Sequence, residues 1–366
     1  MHANLYKRLD DLNVEQTIFA YYRGTGKEGK NQFEATHTSF IYKRILKIWH
    51  RLFYHLKIKK VYSGLKKEVA PLDYDLVHAT TLFSDGAIAY QMHKEFHLPY
   101  IVTVRNTDVN TFLAIAPHTW LMGLKILRKA HRIVFISKAL QEKFCKHIVI
   151  KRILPDIQNK FVLQPNGIDD YWLNNINRSE RTTSYNVIYV GRFDSNKNVV
   201  RLIKAVLNLK QFFPHIKLHL VGGDGSKVGE VLKLVESHPD CLFYHGHIND
   251  KEKLIELYRQ CCIFAMPSIH ETFGLVYLEA LSQNLPILYT LGEGIDGLFD
   301  ETVGVGVHPK SVNEICNAII EILSHPGKYG NNHVNFELYD WDIIAKKYME
   351  EFNKILNTIP SGCDTK

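Results

Sequence analysis

From residue 187 onward, short apolar runs alternate with longer amphipathic stretches without interruption. The runs cover 187–190, 218–221, 242–245, 263–266, 286–289 and 303–307, and the stretches 199–212, 227–237, 251–260, 275–283 and 311–323. A strand that is apolar on both faces must be covered on both, and a helix after each strand provides that cover. The pattern predicts an α/β domain with a parallel, doubly wound, Rossmann-like sheet. The first half repeats it less regularly, with strands expected at 17–22, 76–78, 100–105, 133–137 and 161–164 and helices such as 85–96 and 139–146. At 366 residues the chain exceeds one ordinary domain, so two are expected. The polar, aperiodic stretch 174–184 separates the halves. We expect an N-terminal domain over 1–173, a linker over 174–184, a C-terminal domain over 185–338 and a last helix within 339–357.

Apolar residues make up 46% of the chain and charged residues 23%, which excludes a disordered protein. The six cysteines form no C-x-x-C pair, and the adjacent Cys261 and Cys262 sit in an apolar run, a pattern that suits a reducing cytoplasm. No leader-like N-terminus and no apolar run of membrane-spanning length is visible. A cytoplasmic protein is expected.

The net charge of +7 is concentrated in one place. Residues 43–67 hold nine Lys/Arg (Lys43, Arg44, Lys47, Arg51, Lys57, Lys59, Lys60, Lys66 and Lys67) and no Asp/Glu. Ile41, Ile45, Ile48, Leu52, Phe53 and Leu56 recur among them at roughly helical spacing, with Trp49 and Tyr54 as interfacial aromatics. Such a helix could lie on the anionic inner leaflet of a membrane or pack on the core with a solvated basic face. No nucleic-acid-binding motif accompanies the charge, and no nucleic-acid partner is expected.

The most specific signal is the pair Glu271 and Glu279, with Gly274 between them, after the apolar run 263–266 and at the start of an expected helix. Two glutamates eight apart also suit solvated surface charges. Their strand–loop–helix frame, with Ser268 and Gly274, argues for a site, because ligands of open α/β sheets bind at the carboxyl ends of strands. The amides of Phe273, Gly274 and Leu275 at the helix start suit a diphosphate or sugar hydroxyls. A carboxylate facing that crevice can accept two hydrogen bonds from a ribose diol. Arg192 and Lys197, on the loop after 187–190, could clamp a diphosphate as a metal ion would, or belong to an ordinary basic loop. The Gly-rich turn with Gly223, and His247 and Ile248 after 242–245, are weaker signals. No cluster with metal-ligand spacing stands out.

The ordered segments GRFDSNKN (191–198), LVGGDG (220–225), YHGHI (244–248) and PSIHETFGLVYLEA (267–280) resemble the retaining GT-B glycosyltransferases of family 4, as does QPNGID (164–169) at the domain junction. The resemblance covers about residues 70–350. It implies two Rossmann-like domains facing a cleft, the second binding a nucleotide diphosphate sugar and the first the acceptor, without a metal cofactor. It implies that Arg192 and Lys197 hold the diphosphate, Glu279 the ribose hydroxyls and Glu271 the transferred sugar. The backbone from Thr272 to Leu275 would contact sugar and phosphate, and the helix near Trp341 would cross back onto the first domain. Implied roles lie in capsule, exopolysaccharide or lipopolysaccharide assembly, on a glycan or lipid-linked acceptor.

Two departures stand out. Where the family carries His-Gly, this sequence has Arg105 and Asn106, with Asp108 kept; Arg105 could meet the sugar phosphate, mark another acceptor or pair with Asp108. Residues 4–9 also read as the family's first helix, so its first strand is expected to be missing from the middle of the N-terminal sheet. A nucleotide-sugar 2-epimerase of the same fold and a non-catalytic nucleotide-binding homologue are the alternatives.

Overall fold

Every strand pair is parallel among the described residues of the computed structural model, which are 2–51, 53–179 and 184–358. They fall into two units. One holds the chain up to Ile136, Gln141–Gly167 and the chain from Trp341 on; the other holds Ser137–Leu140 and Ile168–Asp340.

In chain order the first part runs α1 (His2–Asp11), β1 (Gln16–Arg23), β2 (Thr38–Leu46), α2 (Tyr54–Leu65), β3 (Val77–Ala79), α3 (Asp85–Phe96), β4 (Tyr100–Val104), α4 (Trp120–Lys129) and β5 (Arg132–Phe135). It continues with α5 (Lys138–Lys146), α6 (Ile148–Lys151), α7 (Leu154–Ile157) and β6 (Phe161–Leu163). The strands make two sheets, β1–β2 and β3–β4–β5–β6. Among the described residues no strand pairs across the two.

The second unit runs α8 (Asp170–Asn174), β7 (Asn186–Arg192), α9 (Val199–Leu209), β8 (Lys217–Gly223), α10 (Val228–Ser237), β9 (Leu242–Gly246) and α11 (Lys251–Arg259). It ends with β10 (Ile263–Ala265), α12 (Leu275–Ser282), β11 (Ile287–Thr290), β12 (Gly304–Val307) and α13 (Val312–Ser324). Its sheet has the order β12–β11–β10–β7–β8–β9. The order reverses between β7 and β10, so the loops leaving these two neighbours diverge and open a crevice at their carboxyl ends.

The last helix, α14 (Trp341–Thr358), belongs to the first unit. Its Trp341, Ile344, Ala345, Tyr348 and Ile355 follow helical spacing and pack with Leu5 and Leu9 of α1, Ile101 of β4 and Val134 of β5. The chain thus passes to the second unit at Ile168, earlier than the sequence suggests. Trp172, read as N-terminal, packs edge-on against Tyr258 at 5.8 Å. Part of the expected linker is anchored there too: Asn177 N–H donates to the Ser282 carbonyl at 2.7 Å, and Asn284 donates to the Ser179 carbonyl. Residues 180–183 of that linker lie outside the described residues.

The basic stretch is not one helix. Ile41 and Ile45 belong to β2, Ile48 and Trp49 to a short 3-10 turn, and only from Tyr54 does α2 begin. Alternation along β2 and the i, i+4 spacing of a helix coincide for these few apolar residues, so periodicity alone does not separate them. Leu52 lies outside the described residues. Among the described residues, no helix is long and apolar enough to cross a membrane.

Candidate active site

The loops after β7 and β10 carry the two strongest sequence signals, and the fold brings them together. Lys197 Nζ donates to Glu271 Oε2 at 2.5 Å, with side chains 24% and 9% exposed. Backbone and amide bonds between the loops hold this pair. Ile269 N–H donates to the Asn196 carbonyl at 2.7 Å, His270 N–H donates to Asn196 Oδ1, and Asn196 Nδ2 donates to the His270 carbonyl. Asn198, in the left-handed conformation at φ 60°, donates from Nδ2 to the carbonyls of Pro267 and Pro309 and so ties in the loop after β12. Two buried phenols fix the strand ends: Tyr189 donates to the Arg192 carbonyl at 2.7 Å and Tyr277 to the Met266 carbonyl at 2.5 Å.

Glu271 is held from a third side. Glu293, on the glycine-rich loop after β11, accepts from Glu271 N–H at 3.1 Å and meets His270 Nδ1 at 3.0 Å; Gly294 N–H donates to the Glu271 carbonyl. Sequence reasoning missed Glu293, Asn196 and Asn198. The signal was present, since each lies on the carboxyl-end loop of a recognised strand.

Lys197 N–H donates to Asp194 Oδ1, which pins the loop. Arg192, by contrast, is 66% exposed and stands 3.7 Å from Asp194. The structure thus places only one of the two predicted cations against Glu271.

Gly274 starts α12 at φ 79°, and a Cβ there would strike the Tyr277 ring. Among the described residues, the amides of Phe273, Gly274 and Leu275 meet no protein acceptor. The Thr272 amide differs from the sequence expectation: it is taken by Glu271 Oε1 at 3.0 Å, because the short loop folds the carboxylate back on its own backbone.

Glu279 lies further along α12 in a different charge environment. Burial pushes its carboxyl up to about 7, with Lys251 opposing the shift and Asp169 adding to it. Lys251 itself pairs with Asp169 at 2.6 Å. Among the described residues no protein hydrogen bond reaches the Glu279 carboxylate. A half-buried carboxylate with no donor gains from a ligand that supplies one.

At the ends of β8 and β9, His247 Nε2 lies 3.3 Å from Asp224 Oδ2, and a Cβ on Gly223 would lie 3.2 Å from His247 Nε2. Ile248 follows half-buried, with its polar surface confined to the backbone. Gly222 sits at φ 123°, where a Cβ would overlap the Gly191 carbonyl of the adjacent strand. Gly222→Ala will therefore lower unfolding stability by about 2–4 kcal/mol in a denaturant titration. A loss under 0.5 kcal/mol would show that the strands need no such close approach.

Arg105 and Asp108 lie in the first unit. Asp108 is 1% exposed, and its carboxylate accepts from the amides of Leu82, Phe83 and Arg105 at 2.9–3.1 Å. Burial still raises its carboxyl to about 6. Both of its oxygens are thus engaged by backbone amides, which fixes the loop that carries Arg105. Arg105 Nε donates to the Thr80 carbonyl at 3.2 Å, and burial lowers its ordinarily high pKa. Among the described residues, no group of three or more His, Cys, Asp or Glu has metal-binding geometry.

Comparison with known proteins agrees with this arrangement. The family model described as Glycosyltransferase Family 4 matches residues 3–171, and the one described as Glycosyl transferases group 1 matches residues 174–335. A sucrose-phosphate synthase structure from Thermosynechococcus elongatus superposes with a TM-score of 0.72 at 22% identity, covering 97% of this chain and 92% of that one. HepE from Anabaena, solved in complex with UDP, superposes at 0.63 with 16% identity, covering 98% and 94%. These likenesses define a GT-B fold. The chain belongs to the group 1 glycosyltransferases and is an enzyme of that class. An uncharacterized glycosyltransferase of Methanocaldococcus jannaschii is 25% identical over 299 residues, which are 75% of this chain and 74% of that protein.

Proposed function

We propose that this glycosyltransferase moves a hexose-type sugar from a nucleotide diphosphate sugar, with retention and without a metal ion, to a glycan or lipid-linked glycan acceptor in surface polysaccharide assembly. The observation that carries the donor reading is the unpartnered, half-buried Glu279 carboxylate, its pKa raised, on the helix that begins just after the Lys197–Glu271 pair. Two ribose hydroxyls would satisfy Glu279. The free amides of Phe273, Gly274 and Leu275 and the remaining N–H groups of Lys197 would meet the diphosphate. HepE, which shares the fold, binds UDP, in keeping with a nucleotide donor.

In the reaction the bond from the sugar's anomeric carbon to the phosphate oxygen breaks and the acceptor oxygen bonds to that carbon. The acceptor's proton passes to a phosphate oxygen, and the nucleotide diphosphate leaves. Lys197 and Arg192 supply positive charge where the leaving group gains negative charge. Glu271, fixed by Glu293 and Thr272, faces the transferred sugar. The acceptor, the retention and the polysaccharide role rest on the family resemblance. Contact with an anionic membrane through part of residues 41–67 would suit a lipid-linked acceptor.

The test is to incubate the enzyme with UDP-, GDP- and ADP-sugars, an acceptor-bearing membrane extract and EDTA, and to analyse the products. Free nucleotide diphosphate with a new glycoside of unchanged anomeric configuration is expected. An epimerised nucleotide sugar would identify the 2-epimerase instead, and a product of inverted configuration would refute retention.

A further inference from the structure

The turn between β2 and α2 exposes apolar side chains that a protein in water normally buries. Ile48 is 75% exposed, Trp49 41%, Phe53 54% and Leu56 50%. Trp49 and Phe53 rings meet edge-to-face at 6.2 Å, and Ile48 and Leu56 flank them in the chain; we call this exposed apolar group the knob. The knob is held from below. His50 is buried and accepts the Lys47 amide at 2.7 Å, and Tyr54 is buried and donates to the Phe83 carbonyl at 2.6 Å. On α2, Lys59 and Lys60 follow Leu56 by three and four residues, which places them on the same outer face one turn away. Lys47 and Arg44 add charge from the strand side. Arg44, Lys47, Lys59 and Lys60 are exposed and have no carboxylate within ion-pair distance among the described residues.

We propose that this knob is a membrane-docking surface: Ile48, Trp49, Phe53 and Leu56 enter the headgroup–acyl boundary of a bilayer, and Arg44, Lys47, Lys59 and Lys60 engage its anionic headgroups. Charge complementarity selects the occupant. An apolar protein groove would cover the tip but leave four unpaired cations at its rim, whereas an anionic leaflet satisfies tip and rim together. Lysine stems can lie along the apolar layer while their ammonium groups stay at headgroup level. The inference rests on the membrane contact proposed above and stands apart from the donor chemistry, because none of these residues lies in the second unit.

The experiment is vesicle co-sedimentation of the full chain, with phosphatidylcholine alone and with phosphatidylcholine containing about one third phosphatidylglycerol. The unmodified chain is expected to bind the anionic vesicles at least tenfold better than the neutral ones, less so in high salt, with a blue shift in tryptophan emission that Trp49→Phe removes. Ile48→Ser with Phe53→Ser, and separately Lys59→Glu with Lys60→Glu, should each reduce binding at least tenfold while nucleotide titrations stay unchanged. Because these side chains are exposed, the variants are expected to fold; unchanged circular dichroism and denaturant midpoints report that for the first unit, and unchanged nucleotide affinity for the second. Equal binding by variants and unmodified chain would overturn the proposal. So would no binding to either vesicle, or a dimer in solution that the apolar variant dissociates.

Discussion

Glu279→Ala will bind its nucleotide about 30- to 150-fold more weakly than the unmodified chain, as measured by calorimetry across UDP, GDP and ADP. The figure is the loss of about 2–3 kcal/mol for a carboxylate accepting two ribose hydroxyls. The Glu279 carboxyl sits at about 7, raised by burial, so much of it is protonated near neutrality in the free enzyme. A protonated carboxyl has to give up its proton, or one of its two accepted bonds, before it can hold the diol. Affinity for the intact nucleotide sugar should therefore fall toward tenfold per pH unit below pH 7 and level off above pH 8. Glu279→Gln should flatten that dependence, and a profile of unchanged slope would assign the titration to another group. The sign for stability is opposite to that of an ordinary carboxylate. With a folded pKa above the unfolded one, Glu279 favours the fold most below the usual carboxylate range and loses that contribution as pH rises toward 7. Nucleotide binding and intrinsic stability should thus move in opposite directions with pH through this one group.

Lys197→Met will lower kcat by about 10²- to 10³-fold, the usual cost of removing one fixed positive donor from a developing anion. It also leaves Glu271, 9% exposed, without its partner at 2.5 Å. We expect about 1–2 kcal/mol of lost stability, less than a fully buried pair would show because Lys197 is 24% exposed. The double variant Lys197→Met with Glu271→Gln separates the two effects. Removing both charges should restore most of the stability and none of the rate. If the double variant recovered activity, Lys197 would serve only to neutralise Glu271 and the leaving-group role would be refuted. Steady-state rates and denaturant midpoints on the three proteins decide between these outcomes.

The Glu271–Glu279 segment was legible in the sequence because its chemistry is local. An apolar strand, a loop with a glycine at positive φ and a helix start are written in consecutive residues, and the amides of such a start are free by the geometry of a helix. The pairing of Lys197 with Glu271 was less so. Seventy-four positions separate them, and only the sheet order, which sets β7 beside β10, makes them neighbours. Glu293 and Asn198 were missed for the same reason, since each acts through a loop belonging to another strand.

Where one residue per turn and one residue per alternation coincide, sequence reading failed: residues 41–56 read as one helix and fold as a strand, a turn and the start of α2. The order of strands and helices in the second unit, the parallel character of its sheet and the glycine positions were determined by the sequence alone. They follow from short-range sterics and from the need to cover apolar strands on both faces. The tertiary structure alone decided which charges meet, which stay unpaired and how far burial moves the Glu279 carboxyl. Those depend on distances and solvent access between segments that the chain's linear order leaves open.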